Sequence, residues 1–89
     1  MPVSMKKSSD LVVEAAEEIA AAVYRTEAIA RTARLAQITD TEAQEQYAAF
    51  RRQAESLTRQ DRATFHAHGR HDLVGVALAD VMRERREFG

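Results

Sequence analysis

The sequence predicts an all-α protein, built as a long helical hairpin with a shorter third helix. Apolar residues recur every three or four positions along the chain, which is the period of an α-helix. No segment alternates apolar and polar residues as a strand does. The 89 residues include only 3 glycines and 1 proline, so little interrupts a long helix. Three helices, or a dimeric helical bundle, are therefore expected.

The first helix is expected over about residues 10–38, after a flexible tail at 1–9. Ser8, Ser9 and Asp10 form a helix-start signal, because short side-chain oxygens accept hydrogen bonds from the free N–H groups of a first turn. No Gly or Pro follows before residue 39. Acidic residues lie early in this segment and arginines lie late, which complements the helix dipole. Residues 10–88 are taken as one helical domain.

Helix 1 carries two apolar stripes where a surface helix of a small monomer has one. At about 100° per residue, the first stripe contains Val12, Ala16, Ile19, Val23, Ala30 and Ala33. The second contains Val13, Ala20, Tyr24, Leu35 and Ile38. We expect one stripe to face the chain's own helices and the other to face a partner. The residues predicted for a homodimer or heteromeric interface are Val12, Ile19, Val23, Tyr24, Leu35 and Ile38.

The second helix is expected over about residues 41–68, after a tight turn. Thr39 and Glu42 have the spacing of a capping box, and so do Thr41 and Gln44. A regular stripe predicts burial against helix 1, and its residues are Ala43, Tyr47, Phe50, Ala54 and Leu57. Asp61 interrupts that stripe, so a break near residues 58–61 is the alternative to one continuous helix ending before Gly69.

The third helix is expected over about residues 72–87, with Asp72 as its cap. Its apolar face carries Val74, Ala77, Leu78, Val81 and Phe88. Gly75 lies inside it and costs about 1 kcal/mol relative to alanine. Helix 1 alone would be ~42 Å long, whereas a compact monomer of this size is roughly 30 Å across. The chain should therefore be elongated, and a dimer would cover the overhang.

Composition and charge exclude several classes of function. The chain has no cysteine, which excludes disulfides and thiolate zinc sites. Its formal net charge is −1, which argues against a protein whose main work is neutralising phosphates. No apolar run is long enough for a signal peptide or a membrane span, so we expect a cytoplasmic protein that does not associate with a membrane.

No catalytic, cofactor or metal site is predicted. His66, His68 and His71 cluster near Asp72, but His66 and His68 point about 200° apart on a helix and cannot meet at one ion. The carboxylates have the spacing of solvent-facing ion pairs, as with Glu27 and Arg31 or with Glu55 and Arg59.

The predicted role is a small non-enzymatic interaction module, such as a regulator, adaptor, inhibitor or small subunit, that self-associates through helix 1. The alternative is a nucleic-acid-associated regulator whose helical dimer presents arginines. The residues predicted for that contact, or for another anion, are Arg51, Arg52, Arg59 and Arg62. A third reading is a small all-α enzyme. Its plan resembles that of the small dimeric chorismate mutases, although no residue motif supports the resemblance.

Overall fold

The computed structural model describes residues 8–88, which form four α-helices and no strand. They are α1 (Ser8–Ala36), α2 (Asp40–Ser56), α3 (Arg59–Ala67) and α4 (Leu73–Glu84). The all-α prediction is confirmed. The predicted tail at residues 1–9 lies mostly outside the described residues, and α1 already includes Ser8 and Ser9.

The turn between α1 and α2 follows the predicted capping box. Gln37 adopts a left-handed backbone with φ of 57°, and the Ile38 amide donates to the Ala33 carbonyl at 3.0 Å. The Thr39 hydroxyl then accepts from the Glu42 amide at 3.0 Å, and the Glu42 carboxylate accepts from the Thr39 amide at 3.1 Å. These bonds satisfy N–H groups that a helix start leaves free. Helix α1 therefore ends two residues before the predicted position.

The prediction of one continuous second helix is wrong, because Leu57 and Thr58 adopt an extended backbone that separates α2 from α3. The Thr58 hydroxyl caps α3 by accepting from the Asp61 amide at 3.1 Å. The Arg62 guanidinium donates to the carbonyls of Ala54, at 3.2 Å, and Leu57, at 2.5 Å. Carbonyls at a helix end need such partners. Arg62 of α3 therefore stabilises the C-terminal end of α2.

Helix α4 occupies the centre of the fold, where it packs on α2 and also contacts α1 and α3. One core cluster joins α1, α2 and α4 through Ala28, Tyr47, Leu73, Val76 and Ala77. A second joins α2 and α4 through Ala54, Leu78, Val81 and Met82. The prediction that helix 2 buries Tyr47, Phe50 and Leu57 is right for Tyr47 alone, since the other two are half-buried.

The molecule is elongated, as its long first helix predicted. Its radius of gyration is 15.2 Å and its extents are 55 × 27 × 20 Å. A compact chain of this length would have a radius of gyration of about 12 Å. The excess comes from α1, whose 29 residues reach past the other helices.

The start of α4 explains the glycine inside it. The Asp72 carboxylate caps the helix by accepting from the Gly75 amide at 3.1 Å, as predicted. A Cβ atom on Gly75 would lie 2.2 Å from the Arg70 carbonyl oxygen, so no larger residue fits without moving the backbone. Helix α4 ends at Glu84, earlier than the predicted residue 87.

Candidate protein–protein interface

The start of α1 exposes a broad apolar surface. We use the name α1 apolar surface for Leu11, Val12, Val13, Ile19, Val23 and Tyr24, all of which are at least half exposed. Among the residues predicted for the interface, Leu35 is the most exposed at 80%, and Ile38 alone is half-buried. The expectation that one stripe faces the chain's own helices is wrong. Apart from Ala33, which is buried, and Ala30 and Ile38, both stripes lie outside the core.

Helix α1 instead packs on the chain through a face of mostly small or polar residues, which shares Ala33 with the first stripe. This face carries Arg25, Ala28, Ile29, Thr32 and Ala33, which are buried or half-buried. Sequence reasoning missed it because its residues lack the bulk that marks a core stripe. Alanines allow the facing helices to approach closely, and Arg25 supplies a specific polar contact.

The acidic residues at the start of α1 continue that same inward face. Successive residues of a helix are rotated by about 100°, so these acids project within one quarter to one third of the helix circumference. The acids are Asp10, Glu14, Glu17 and Glu18, and Arg25 and Ala28 project from the same side of the helix. Glu18 accordingly pairs with Arg83 of α4, at 3.3 Å between Oε1 and Nε. Glu18 therefore reaches toward α4, but its side chain is 66% exposed, and Asp10 and Glu17 are exposed as well.

A buried carboxylate, Asp80 of α4, connects α1, α2 and α4. Its Oδ2 accepts from the Tyr47 hydroxyl at 2.5 Å and from Arg25 Nη1 at 3.1 Å, and its Oδ1 accepts from Arg83 Nη1 at 2.8 Å. Burial alone would raise the pKa of Asp80, but these three hydrogen bonds outweigh it and hold the pKa below its ordinary value. Burial and the bond to Asp80 raise the pKa of Tyr47.

This arrangement makes Asp80 a structural residue. It is 3% exposed, its charge is neutralised by two arginines, and both of its oxygens are occupied by donors from the chain. No buried side-chain polar atom in the described part of the chain lacks a hydrogen-bond partner. The sequence signal for Asp80 is its position three residues after Ala77, which lies on the predicted core stripe.

The predicted anion-binding arginines have different roles. Arg51 pairs with Glu84 of α4 at 2.6 Å and with Glu55 at 3.7 Å. Arg62 is 3% exposed and forms a two-pronged ion pair with Glu87, at 2.9 and 2.6 Å. Arg62 is therefore not available to an external anion, which corrects the prediction for this residue. Arg52 and Arg59 are exposed.

The histidines lie at the end of α3 and in the loop that follows. His66 packs edge-on against Phe88, with ring centroids 4.8 Å apart. Within residues 8–88, no three or more His, Asp or Glu side chains are grouped so that they could hold a metal ion. None of the four described helices has the length and apolar character needed to cross a membrane.

A groove of about 680 Å³ lies beside α1, and all four helices contribute to it. Its walls include Tyr24 of α1, Phe50 of α2, Phe65 of α3 and Val74 of α4, together with Leu57 between α2 and α3. Its volume falls within the range of about 300–1,000 Å³ that is usual for binding clefts on protein surfaces. It opens next to the second stripe of α1.

Comparisons with protein-family models, with curated proteins and with solved structures find no match to this chain.

Proposed function

We propose that this chain is a small non-enzymatic helical interaction module that self-associates through α1. In this account, two long first helices lie together in a dimeric helical bundle. The module acts in the cytoplasm as a regulator, adaptor, inhibitor or small subunit of a larger complex. The observation that carries the proposal is the outward-facing α1 apolar surface.

The exposed apolar residues in the first turns of α1 support an interface there. A helix at the surface of a monomer turns its apolar side to the core and its charges to water. Here Val12 and Ile19 are about two-thirds exposed, as much as the Glu18 side chain, so apolar residues face water together with the acids. Soluble monomers rarely expose a contiguous apolar patch of this kind unless it is used. A partner would remove these side chains from water.

The completeness of the remaining core also supports this assignment. Ala28 and Ala33 of α1 are buried against the other helices without any contribution from the α1 apolar surface. Asp80 has a full set of donors within the chain. We therefore expect truncation of the exposed residues to leave the folded core intact, which supports a role for them outside the single chain.

Sedimentation of the wild type and of Ile19→Glu tests the proposal. We expect the wild type to sediment at twice its 10.0 kDa chain mass, and Ile19→Glu to raise the dissociation constant at least about tenfold because a buried charge is costly. Gln60→Glu is the matched control, since it adds the same charge on an exposed position of α3. Both variants should keep wild-type helicity. A wild type that stays at 10.0 kDa up to about 500 µM would contradict the proposal.

A further inference from the structure

Helix α3 adds no apolar residue to the core. Of its 9 residues, all are exposed except Arg62. Phe65, its largest apolar residue, is 48% exposed, and neither core cluster contains a residue of α3. Most helical stability in proteins comes from packing an apolar face, and an isolated helix shorter than about 12 residues is marginal in water. Apolar burial therefore does not hold α3 in place.

The buried side chain of Arg62 supplies the main attachment of α3. Its guanidinium donates to the carbonyls of Ala54 and Leu57 at the end of α2, and to the Glu87 carboxylate at 2.9 and 2.6 Å. The side chains of Arg62 and Glu87 are only 4% and 6% exposed. Removing one partner of a buried ion pair leaves the other charge uncompensated in a poorly solvated position. The closed position of α3 therefore depends on Glu87.

Glu87 and the residue after it, Phe88, are fixed to the end of α4. Arg86 adopts a left-handed backbone with φ of 55°, and the Glu87 amide donates to the carbonyl of Met82 at 2.9 Å. Met82 belongs to a core cluster. The Phe88 ring also reaches α3, where it packs edge-on against His66. We use the name latch for Glu87 and Phe88, because both contact α3 from a segment that is anchored in the core.

The two connections of α3 allow it to move as a unit. On one side, Leu57 and Thr58 have an extended backbone between α2 and α3. On the other side, residues 68–72 are all exposed. Gly69 lies there with φ of 69°, and no atom lies within 4 Å of the place a Cβ would take. A rotation at these connections leaves both core clusters unchanged.

We propose that α3 is a hinged flap, held closed by the latch, which opens while the body formed by α1, α2 and α4 stays folded. Segments with few buried apolar contacts are the ones that open locally in proteins. Phe65 and His66 form part of the groove wall, so opening removes one side of the groove. The ion pair of Arg62 and Glu87 thereby controls access to the groove. None of these contacts involves the α1 apolar surface, so the flap is independent of self-association.

Native-state amide hydrogen exchange of Glu87→Gln in dilute samples tests the flap. Glutamine keeps the shape of the side chain but removes the counter-charge of Arg62. We expect the amides of residues 62–67 to exchange at least about tenfold faster than in the wild type, and those of α2 and α4 to stay within about twofold. Glu84→Gln is the matched control, since it removes the same charge near the end of α4 from an ion pair with Arg51 of α2. It should leave the exchange of α3 unchanged.

Two results for Glu87→Gln would overturn the proposal. Unchanged exchange in α3 would show that the ion pair does not hold the helix, and equal acceleration in α3 and α4 would show that α3 is part of the cooperative core. If the variant loses its helical content, the wild type at urea concentrations below its unfolding transition decides. We expect α3 to open there with a smaller urea dependence than α4, because its opening exposes less surface. Coincident opening of the two helices would overturn the proposal.

Discussion

The two halves of α1 differ in how far the rest of the chain covers them. In the second half, small residues such as Ala28 and Ala33 are buried, and Arg25 reaches inward to Asp80. In the first half, Glu18 reaches inward to Arg83, and Val12 and Ile19 face solvent. One uninterrupted helix thus has two environments. The chain itself supplies the contacts of the second half, whereas the first half reaches past the other helices and keeps its apolar residues exposed.

We expect the largest loss of stability on substitution of Asp80, which anchors the second half of α1. Replacing it with asparagine leaves two arginines without a buried counter-charge, and breaking a buried ion pair in this way costs about 3–5 kcal/mol. We expect Asp80→Asn to reduce the free energy of unfolding by about 3 kcal/mol in a urea titration. Glu45→Gln on the exposed side of α2 is the control and should stay within about 0.5 kcal/mol of the wild type. A loss below about 1 kcal/mol at Asp80 would show that the network does not hold the three helices together.

Acid should lower the free energy of unfolding by protonating the same carboxylate, which holds the second half of α1 in place. The hydrogen bonds to Asp80 hold its pKa in the folded chain below the ordinary 3.8, so the unfolded chain binds a proton first as pH falls. The stabilisation is complete above pH 3.8 and disappears as pH drops through the lower folded pKa. We expect wild-type unfolding free energy to decline below pH 4, and Asp80→Asn to decline less steeply. Parallel pH profiles would contradict this attribution. Glu87, whose pKa the Arg62 guanidinium lowers, adds to the decline in both proteins.

Replacing Gly75 with alanine is expected to lower stability by an intermediate amount, although helix propensity alone predicts a gain. Alanine in place of an interior helical glycine ordinarily stabilises by about 1 kcal/mol. At this position the new Cβ would lie 2.2 Å from the Arg70 carbonyl oxygen. We expect Gly75→Ala to destabilise the protein by about 1–3 kcal/mol, because the loop before α4 must move. A higher melting temperature for the variant would contradict this prediction and would show that the loop before α4 moves at little energetic cost.

The smallest expected effect is at Ile19, in the first half of α1. Ile19→Ala in a dilute sample should change the free energy of unfolding by less than about 0.5 kcal/mol, since the side chain is exposed in the single chain. Leu78→Ala in the core is the matched truncation and should cost about 2–5 kcal/mol. The comparison would fail if Ile19→Ala were as destabilising as Leu78→Ala at dilutions where the protein is monomeric.

Much of the fold could be predicted from local signals. The capping box of Thr39 and Glu42, the Asp72 cap and the elongated shape all follow from residue spacing or helix length. The sequence does not decide whether the second helix breaks near Leu57, because Arg62, which donates to the carbonyls at the break, is itself held by Glu87, 25 positions away. Long-range pairs of this kind leave no periodic signature in a sequence.

The candidate interface was predicted in part. The two stripes of α1 identified apolar residues with no place in a single core, but the inward face could not be identified because alanine, threonine and arginine do not form an apolar pattern. Asp80 was missed for the same reason, since its partners Arg25 and Tyr47 come from two other helices. The groove depends on how four helices meet, which no single segment encodes.

Amide hydrogen exchange at two chain concentrations tests the central claim most directly, because it reports the two halves of α1 separately. We would compare about 1 µM with about 300 µM protein, the second being high enough to favour association. The account predicts that peptides from residues 9–24 gain protection at the higher concentration, whereas peptides from 25–36 and from α4 exchange equally slowly at both. Protection of residues 9–24 that is independent of concentration would contradict it.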